Sequence, residues 1–242
     1  MWQALVVVFD IPAWKLPAPW AIGEELVASR ALYLRHTWAT LSEALIGFGV
    51  ALFMGVALAT LMAFSRAFQR AAYPLIVASQ TIPIIVISPL LLIWVGYGLA
   101  PKVIIVVLIT FFPIVVNVMD GLRSVDPDMV KMMRTLGAGR WRLFTKVQVP
   151  SALPFFFSGT KVAVTFSVIG AVIGEWVGAS AGLGYLTRMS VPLFLTARSF
   201  GAVVILALMG ILLFLAVALL ERLALPWYYE ARRAGALEEE GE

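Results

Sequence analysis

Long apolar segments alternate with short charged ones along this chain. The segment "ALIGFGVALFMGVALATLMAF" separates Glu43 from Ser65, and "SFGAVVILALMGILLFLAVALL" separates Arg198 from Glu221. A helix needs about 20 residues to cross a hydrocarbon core of roughly 30 Å. Because only helices satisfy their own backbone hydrogen bonds in lipid on such patterns, the sequence predicts an all-α, polytopic membrane protein.

The same pattern predicts five full spans plus a partial one at the N-terminus. The spans are expected at about 40–64, 74–95, 102–120, 150–175 and 199–221. The first nine apolar residues are too short to cross a membrane alone. They are interpreted as the outer end of a further helix, with a short surface stub as the alternative. The expected organisation is a partial first helix and outer segment at 1–35, a transmembrane domain at 36–226 and a charged cytoplasmic tail at 227–242.

The second predicted span contains two prolines. Pro83 and Pro89 each remove a backbone hydrogen-bond donor and favour a kink. Kinked helices in lipid usually pack against protein or line a cavity. The prolines therefore indicate either a structural kink or a role beside a translocation path.

Lysine and arginine are distributed unequally between the two sets of loops. One set contains Arg66, Arg70, Arg123, Lys131, Arg134, Arg140, Arg142, Lys146, Arg222, Arg232 and Arg233. The other contains Lys15, Arg30, Arg35, Lys102, Arg188 and Arg198. Since cytoplasmic loops carry the excess of positive charge, the first set and the C-terminus are predicted to be cytoplasmic.

The loop at 121–149, called the basic loop below, is predicted to form two short helices. Asp126 and Pro127 make an N-cap and first-turn pair, and Gly137 is suited to a left-handed helix end. Between them, apolar residues recur on one helical face: Met129, Met132, Met133 and Leu136. This face is expected to pack on the protein's own spans or on lipid headgroups, or to enter a groove on a soluble partner.

The amino-acid composition excludes several classes of function. The chain is 62% hydrophobic with a net charge of +4, and its basic residues cluster beside apolar spans. They are therefore interpreted as determinants of membrane topology, with no nucleic acid as a partner. Cysteine is absent and His36 is the single histidine, which excludes disulfides, thiolate metal sites and multi-histidine metal sites.

Polar residues inside predicted spans are candidates for a translocation path or for contacts between helices. The path candidates are Gln80, Ser88, Asn117, Glu175 and Trp176. Glu175 precedes a glycine-rich turn. It is expected either to cap this turn or to face the mouth of the translocation path. Lys161, two turns after Pro154, is expected to extend its amine to the cytoplasmic surface.

The basic loop carries a family resemblance. "VDPDMVKMMRTLGAGRWRLFTKVQVPSALP" resembles the cytoplasmic loop of ABC importer permeases of the binding-protein-dependent type. Their signature is Glu-Ala-Ala, three residues, Gly, nine residues, Ile, any residue, Leu-Pro. Here Gly137, Val147 and Val149–Pro150 match it, while Lys131–Met133 replaces Glu-Ala-Ala. The resemblance covers most of the chain and is closest to the nitrate, sulfonate and thiamine-precursor group.

The resemblance implies a type I permease fold and a docking role for the basic loop. The residues expected to couple to an ATPase are Asp126, Met129, Lys131, Met132, Met133, Leu136, Gly137, Ala138 and Trp141. The implied partners are cytoplasmic ABC ATPase subunits, an extracytoplasmic substrate-binding protein, a second permease copy and membrane lipid. The chain lacks a G-x-x-x-x-G-K-[ST] phosphate loop, so ATP is expected to be hydrolysed by a partner and no cofactor is expected here.

The expected function is therefore transport across the cytoplasmic membrane and not catalysis. The substrate implied by the resemblance is a vitamin-type heterocycle, a thiamine pyrimidine precursor or a riboflavin-like compound. The alternatives are a nitrate, sulfonate or taurine permease, or a self-sufficient secondary transporter. A membrane enzyme is disfavoured because His36 is the single histidine and the predicted spans contain no paired carboxylates.

Overall fold

A computed structural model describes residues 2–230, and this part of the chain is helical and contains no strand. The helices are α1 (Trp2–Val8), α2 (Pro19–Ala28), α3 (Arg30–Phe64), α4 (Arg66–Ser79), α5 (Ile84–Val95), α6 (Leu99–Arg123), α7 (Pro127–Thr135), α8 (Arg140–Leu143), α9 (Val149–Gly178), α10 (Leu183–Ser190) and α11 (Thr196–Ala224). Arg232, Arg233 and most of the predicted tail at 227–242 lie outside the described residues.

The long helices confirm the all-α membrane fold. Four segments are long and apolar enough to cross a membrane: Arg30–Phe64, Leu99–Arg123, Arg140–Gly178 and Thr196–Ala224. The pair α4 and α5 makes a fifth span if it is counted as one broken span. At the N-terminus, α1 is a separate seven-residue helix without a buried residue.

The predicted second span, 74–95, is not one kinked helix. α4 ends at Ser79 and α5 begins at Ile84, and Pro83 is the N-cap residue of α5. Pro83 has a fixed φ and no amide hydrogen, so the helix ends before it and a new helix starts after it. Pro74 and Pro89 lie inside α4 and α5 without ending them.

The helix that carries the predicted span at 150–175 begins within the basic loop. α8 continues through a π-helical turn, Phe144–Gln148, into α9, so this helix begins at Arg140. In the turn, the amide of Val149 donates to the carbonyl of Phe144, five residues back. Pro150 and Pro154 follow without amide hydrogens, which removes regular α-helical hydrogen bonds at this point.

The chain divides into two compact units, each described by itself. Within the described residues, unit 1 comprises 2–51, Ile82–Thr110 and Val164–Leu212, and unit 2 comprises Leu52–Thr81, Phe111–Ala163 and 213–230.

Small residues allow close helix packing inside unit 1. In unit 1, Ala44 of α3, Val106 of α6 and Ala171 of α9 form a fully buried cluster. A Cβ on Gly174 would lie 3.1 Å from the Cα of Lys102, so glycine lets α9 approach α6 at that residue. Such contacts between small residues are typical of helix association in lipid.

Candidate functional site

Both ends of α7, in unit 2, are capped by side-chain and backbone groups. Oδ1 of Asp126 accepts a hydrogen bond from the amide of Asp128 at 2.8 Å, which satisfies one free donor of the first turn. At the other end Gly137 has φ +76°, and its amide donates to the carbonyl of Arg134. The amide of Ala138 donates to Met133. This is a Schellman cap, and it confirms that Gly137 closes the helix.

The apolar face of α7 is not covered by the described part of the chain. Met129 is 47% exposed, Met132 53% and Leu136 72%, whereas Met133 is half-buried. Lys131 lies on the opposite face and pairs with Asp128 at 2.8 Å on the surface. Packing of the whole stripe on the protein's own spans is therefore not observed, and the face stays available to a partner or to headgroups.

Trp141 connects α8 to the end of α3 within unit 2. Its ring stacks on Phe64 at 6.3 Å between centroids and on Phe144 at 5.8 Å. Phe64 and Phe144 also contact each other, at 4.7 Å. α8 is therefore joined to α9 through the backbone and contacts the end of α3 through these three rings.

A buried polar cluster lies in unit 1, at the side of α3 that carries His36, Thr40 and Glu43. Their spacing of four and three residues places them on one helical face, and all three are buried. Oε1 of Glu43 pairs with Nζ of Lys102 on α6 at 2.5 Å, and both side chains are nearly enclosed. The carboxyl of Glu175 on α9 lies close enough to Glu43 to interact electrostatically.

Glu175 binds the N-terminus of α10. Its carboxylate is fully buried, and Oε2 accepts from the amides of Gly184 at 2.5 Å and Tyr185 at 3.3 Å. Oε1 accepts from the hydroxyl of Thr40 at 2.6 Å. A carboxylate at a helix N-terminus satisfies free donors and complements the helix dipole. Of the two roles expected for Glu175, the geometry supports capping.

The remaining donors at this helix end go to α3. The amide of Gly182 donates to Nδ1 of His36 at 2.9 Å, and the amide of Leu183 donates to Oγ1 of Thr40 at 2.8 Å. Gly182 has φ +121°, and a Cβ there would collide with the Glu175 carboxylate. His36 thus binds the glycine-rich turn through a buried hydrogen bond.

The residues predicted to line a path are not brought together within either unit. In unit 2, Gln80 is exposed, and Asn117 donates to the carbonyl of Pro113 on its own helix at 2.8 Å. In unit 1, Ser88 is fully buried and Glu175 is used as a cap. Trp176 lines an apolar cavity of 430 Å³ formed mainly by α9 and α11.

Lys161 has a charged partner that the sequence did not indicate. Its amine forms a 2.7 Å ion pair with Glu221 of α11 in unit 2, and the Glu221 side chain is nearly enclosed. The partner lies 60 residues away in sequence, so hydropathy around Lys161 gave no indication of it.

Sequence reasoning also missed Glu43 and Lys102. Glu43 was treated as the boundary of an apolar segment and Lys102 as a residue that sets topology. The detectable signal was the run His36, Thr40 and Glu43, which places three polar groups on one face of a helix that is apolar beyond them.

Helices of membrane-spanning length and a capped basic loop fit a membrane transport permease. The family model described as "Binding-protein-dependent transport system inner membrane component" matches residues 50–226. The chain belongs to this family, and is therefore a multi-pass inner-membrane permease of an ABC importer that works with an ATPase and a substrate-binding protein.

Curated relatives match over almost the whole chain. The formylaminopyrimidine transport permease protein ThiX of Halalkalibacterium halodurans is 41% identical over 230 residues, covering 92% of each chain. The riboflavin transport system permease protein RibX of Chloroflexus aurantiacus is 39% identical, covering 93% of this chain and 85% of the relative. Among solved structures, the inward-facing MetNI methionine ABC transporter matches with a TM-score of 0.71 at 20% identity, covering 81% of this chain and 97% of that chain, which supports the type I permease fold.

Proposed function

We propose that this permease imports a vitamin-type heterocycle, most specifically a hydroxymethylpyrimidine-like thiamine precursor, with a riboflavin-like compound as the second candidate. The observation that carries the proposal is the 41% identity to a permease named for formylaminopyrimidine transport. Charge supports it, because Lys102 is neutralised by Glu43 and is not free to bind a small anion. A neutral or weakly charged ring fits such a passage better than nitrate or a sulfonate does.

Calorimetric titration of the cognate substrate-binding protein tests the substrate. We expect micromolar or tighter binding of an aminopyrimidine or a flavin, and no heat from taurine, alkanesulfonate or nitrate. The binding protein is the appropriate sample because it performs most of the selection in importers of this kind. Tight binding of a sulfonate or nitrate, with none of the heterocycles, would refute the proposed substrate while leaving the permease assignment intact.

The basic loop is proposed to be the docking site of the ATPase subunit. Met129, Met132 and Leu136 supply an exposed apolar face of flexible side chains that fits a groove. Asp126 and Gly137 cap the two ends of α7. Lys131, Met133 and Ala138 are the other residues of this segment proposed to couple to the ATPase subunit. Trp141 would then pass movement of the docked subunit to α3. Two permease copies, two ATPase subunits and one binding protein make up the proposed importer.

The basic loop and the C-terminus are proposed to face the cytoplasm, and residues 176–198 the outside. The prediction rests on the excess of lysine and arginine in the first set of loops. Single cysteines in place of Ser124 and Ser180, both exposed, report the two sides. An impermeant maleimide added to intact spheroplasts should label Ser180→Cys at least tenfold more than Ser124→Cys. The reverse ratio would invert the topology.

A further inference from the structure

Three arginines surround one cavity in unit 2. Arg66 and Arg70 of α4 and Arg123, the last residue of α6, line a space of 420 Å³, with Gln69 and Gln148 as further polar lining. Among residues 2–230, none of these arginines forms an ion pair with a carboxylate, since the ion pairs found there use other cations. The cavity therefore concentrates positive charge that the described chain does not neutralise.

The cavity lies where membrane-spanning helices end. α3 ends at Phe64, two residues before Arg66, and α6 ends at Arg123 itself. Both α3 and α6 are long and apolar enough to cross a bilayer. Arginines at such positions are at the depth of lipid headgroups, where basic pockets between helices bind anionic headgroups.

α4 is amphipathic, with its polar and apolar side chains on different sides of the helix. Arg66, Gln69, Arg70 and Tyr73 follow the spacing of one helical face. Away from that face, Phe68 is 39% exposed. A basic amphipathic helix of this kind is suited to lie in the membrane interface.

Apolar side chains next to the cavity provide a surface for acyl chains. Leu61 and Phe64, which flank the cavity-lining residue Ala63 in the last turn of α3, are exposed, and Phe68 and Leu75 are exposed on the far side of α4. A ligand that satisfies both surfaces has an anionic head and a hydrocarbon tail. Inorganic phosphate would satisfy only the arginines.

We propose that this cavity binds the phosphate headgroup of an anionic phospholipid, with the acyl chains lying over the exposed side chains of α3 and α4. Arginine suits this role because its planar guanidinium binds two phosphate oxygens at once. The site does not include the apolar face of α7, but it shares Arg123 and Gln148 with the basic loop. In the proposed topology the lipid belongs to the cytoplasmic leaflet.

Native mass spectrometry of the assembled importer tests the proposal. The complex is purified in detergent and supplied with phosphatidylglycerol and phosphatidylcholine in equal amounts. We expect retention of phosphatidylglycerol, and a loss of affinity of about fivefold for each arginine replaced by glutamine at positions 66, 70 and 123. Retention should also fall as ionic strength rises. Equal retention of the two lipids would overturn the proposal.

Matched variants separate this site from general charge effects. Arg142→Gln, Lys146→Gln and Arg222→Gln together remove the same number of exposed charges outside the cavity and should leave lipid retention unchanged. Replacing the three cavity arginines by lysine keeps the charge and should preserve most binding. If the triple-glutamine variant cannot be purified, Arg70→Gln alone and the triple-lysine variant carry the same comparison.

Three other outcomes would also refute the lipid site. An equal loss in the control variant would show that retention follows net charge alone. Displacement of the lipid by millimolar inorganic phosphate would indicate a free-anion site. Loss of the ATPase subunit from the triple-glutamine variant, with lipid retention unchanged, would assign the arginines to an acidic protein surface.

Discussion

Replacement of Lys102 by methionine is expected to destabilise the permease more than any single substitution on its surface. Methionine keeps much of the aliphatic volume but leaves the Glu43 carboxylate buried without the cation it contacts at 2.5 Å. Removing one partner of a buried ion pair costs about 3–5 kcal/mol. For a chain of this size, such a loss lowers Tm by roughly 10 °C. Thermal aggregation of the purified importer, followed by fluorescence-detected size exclusion, measures the shift.

The double variant Lys102→Met with Glu43→Gln provides the decisive comparison. Because glutamine removes the unpaired charge, most of the lost Tm should return. Lys131→Met is the matched control, since its pair with Asp128 is exposed and surface pairs contribute little. Its Tm should change by less than about 2 °C. A Lys102→Met variant as stable as this control, or additive effects in the double variant, would contradict a buried, coupled pair.

Charges placed on the apolar face of α7 are expected to separate the permease from its ATPase subunit. The double variant Met132→Asp with Leu136→Asp puts two carboxylates where an apolar groove is proposed to close over exposed side chains. Buried apolar anchors at interfaces each contribute about 2 kcal/mol or more, so recovery of the ATPase should fall by more than tenfold. Affinity purification through the permease, with quantification of bound ATPase, measures the ratio.

Arg134→Asp is the matched control for this experiment. Arg134 is exposed on the opposite side of the same helix, and its replacement changes the charge by the same two units without altering the docking face. Its ATPase recovery should stay within about twofold of the unmodified importer. Full recovery with the double aspartate variant would assign the stripe to lipid headgroups. Equal loss in all variants would show that α7 itself had been disrupted.

Local sequence patterns were sufficient to predict structural features that depend only on neighbouring residues. The helix at 127–135 was predicted from Asp126, Pro127 and Gly137, and its caps use contacts no more than five residues apart. The broken second span shows where such rules become ambiguous. Several prolines lie in and near it, but only the one at position 83 coincides with the end of a helix. Hydropathy does not distinguish among them.

The sequence by itself determined the membrane fold, the family and the position of the basic loop, because these follow from the lengths of apolar segments and from a contiguous motif. The tertiary structure decided which buried charges neutralise one another. Glu43 pairs with Lys102 across 59 residues, Lys161 with Glu221 across 60, and Glu175 accepts from Thr40 across 135. Hydropathy indicates that a charged residue in a span needs a partner, but only the packing of specific helix faces determines which residue is that partner.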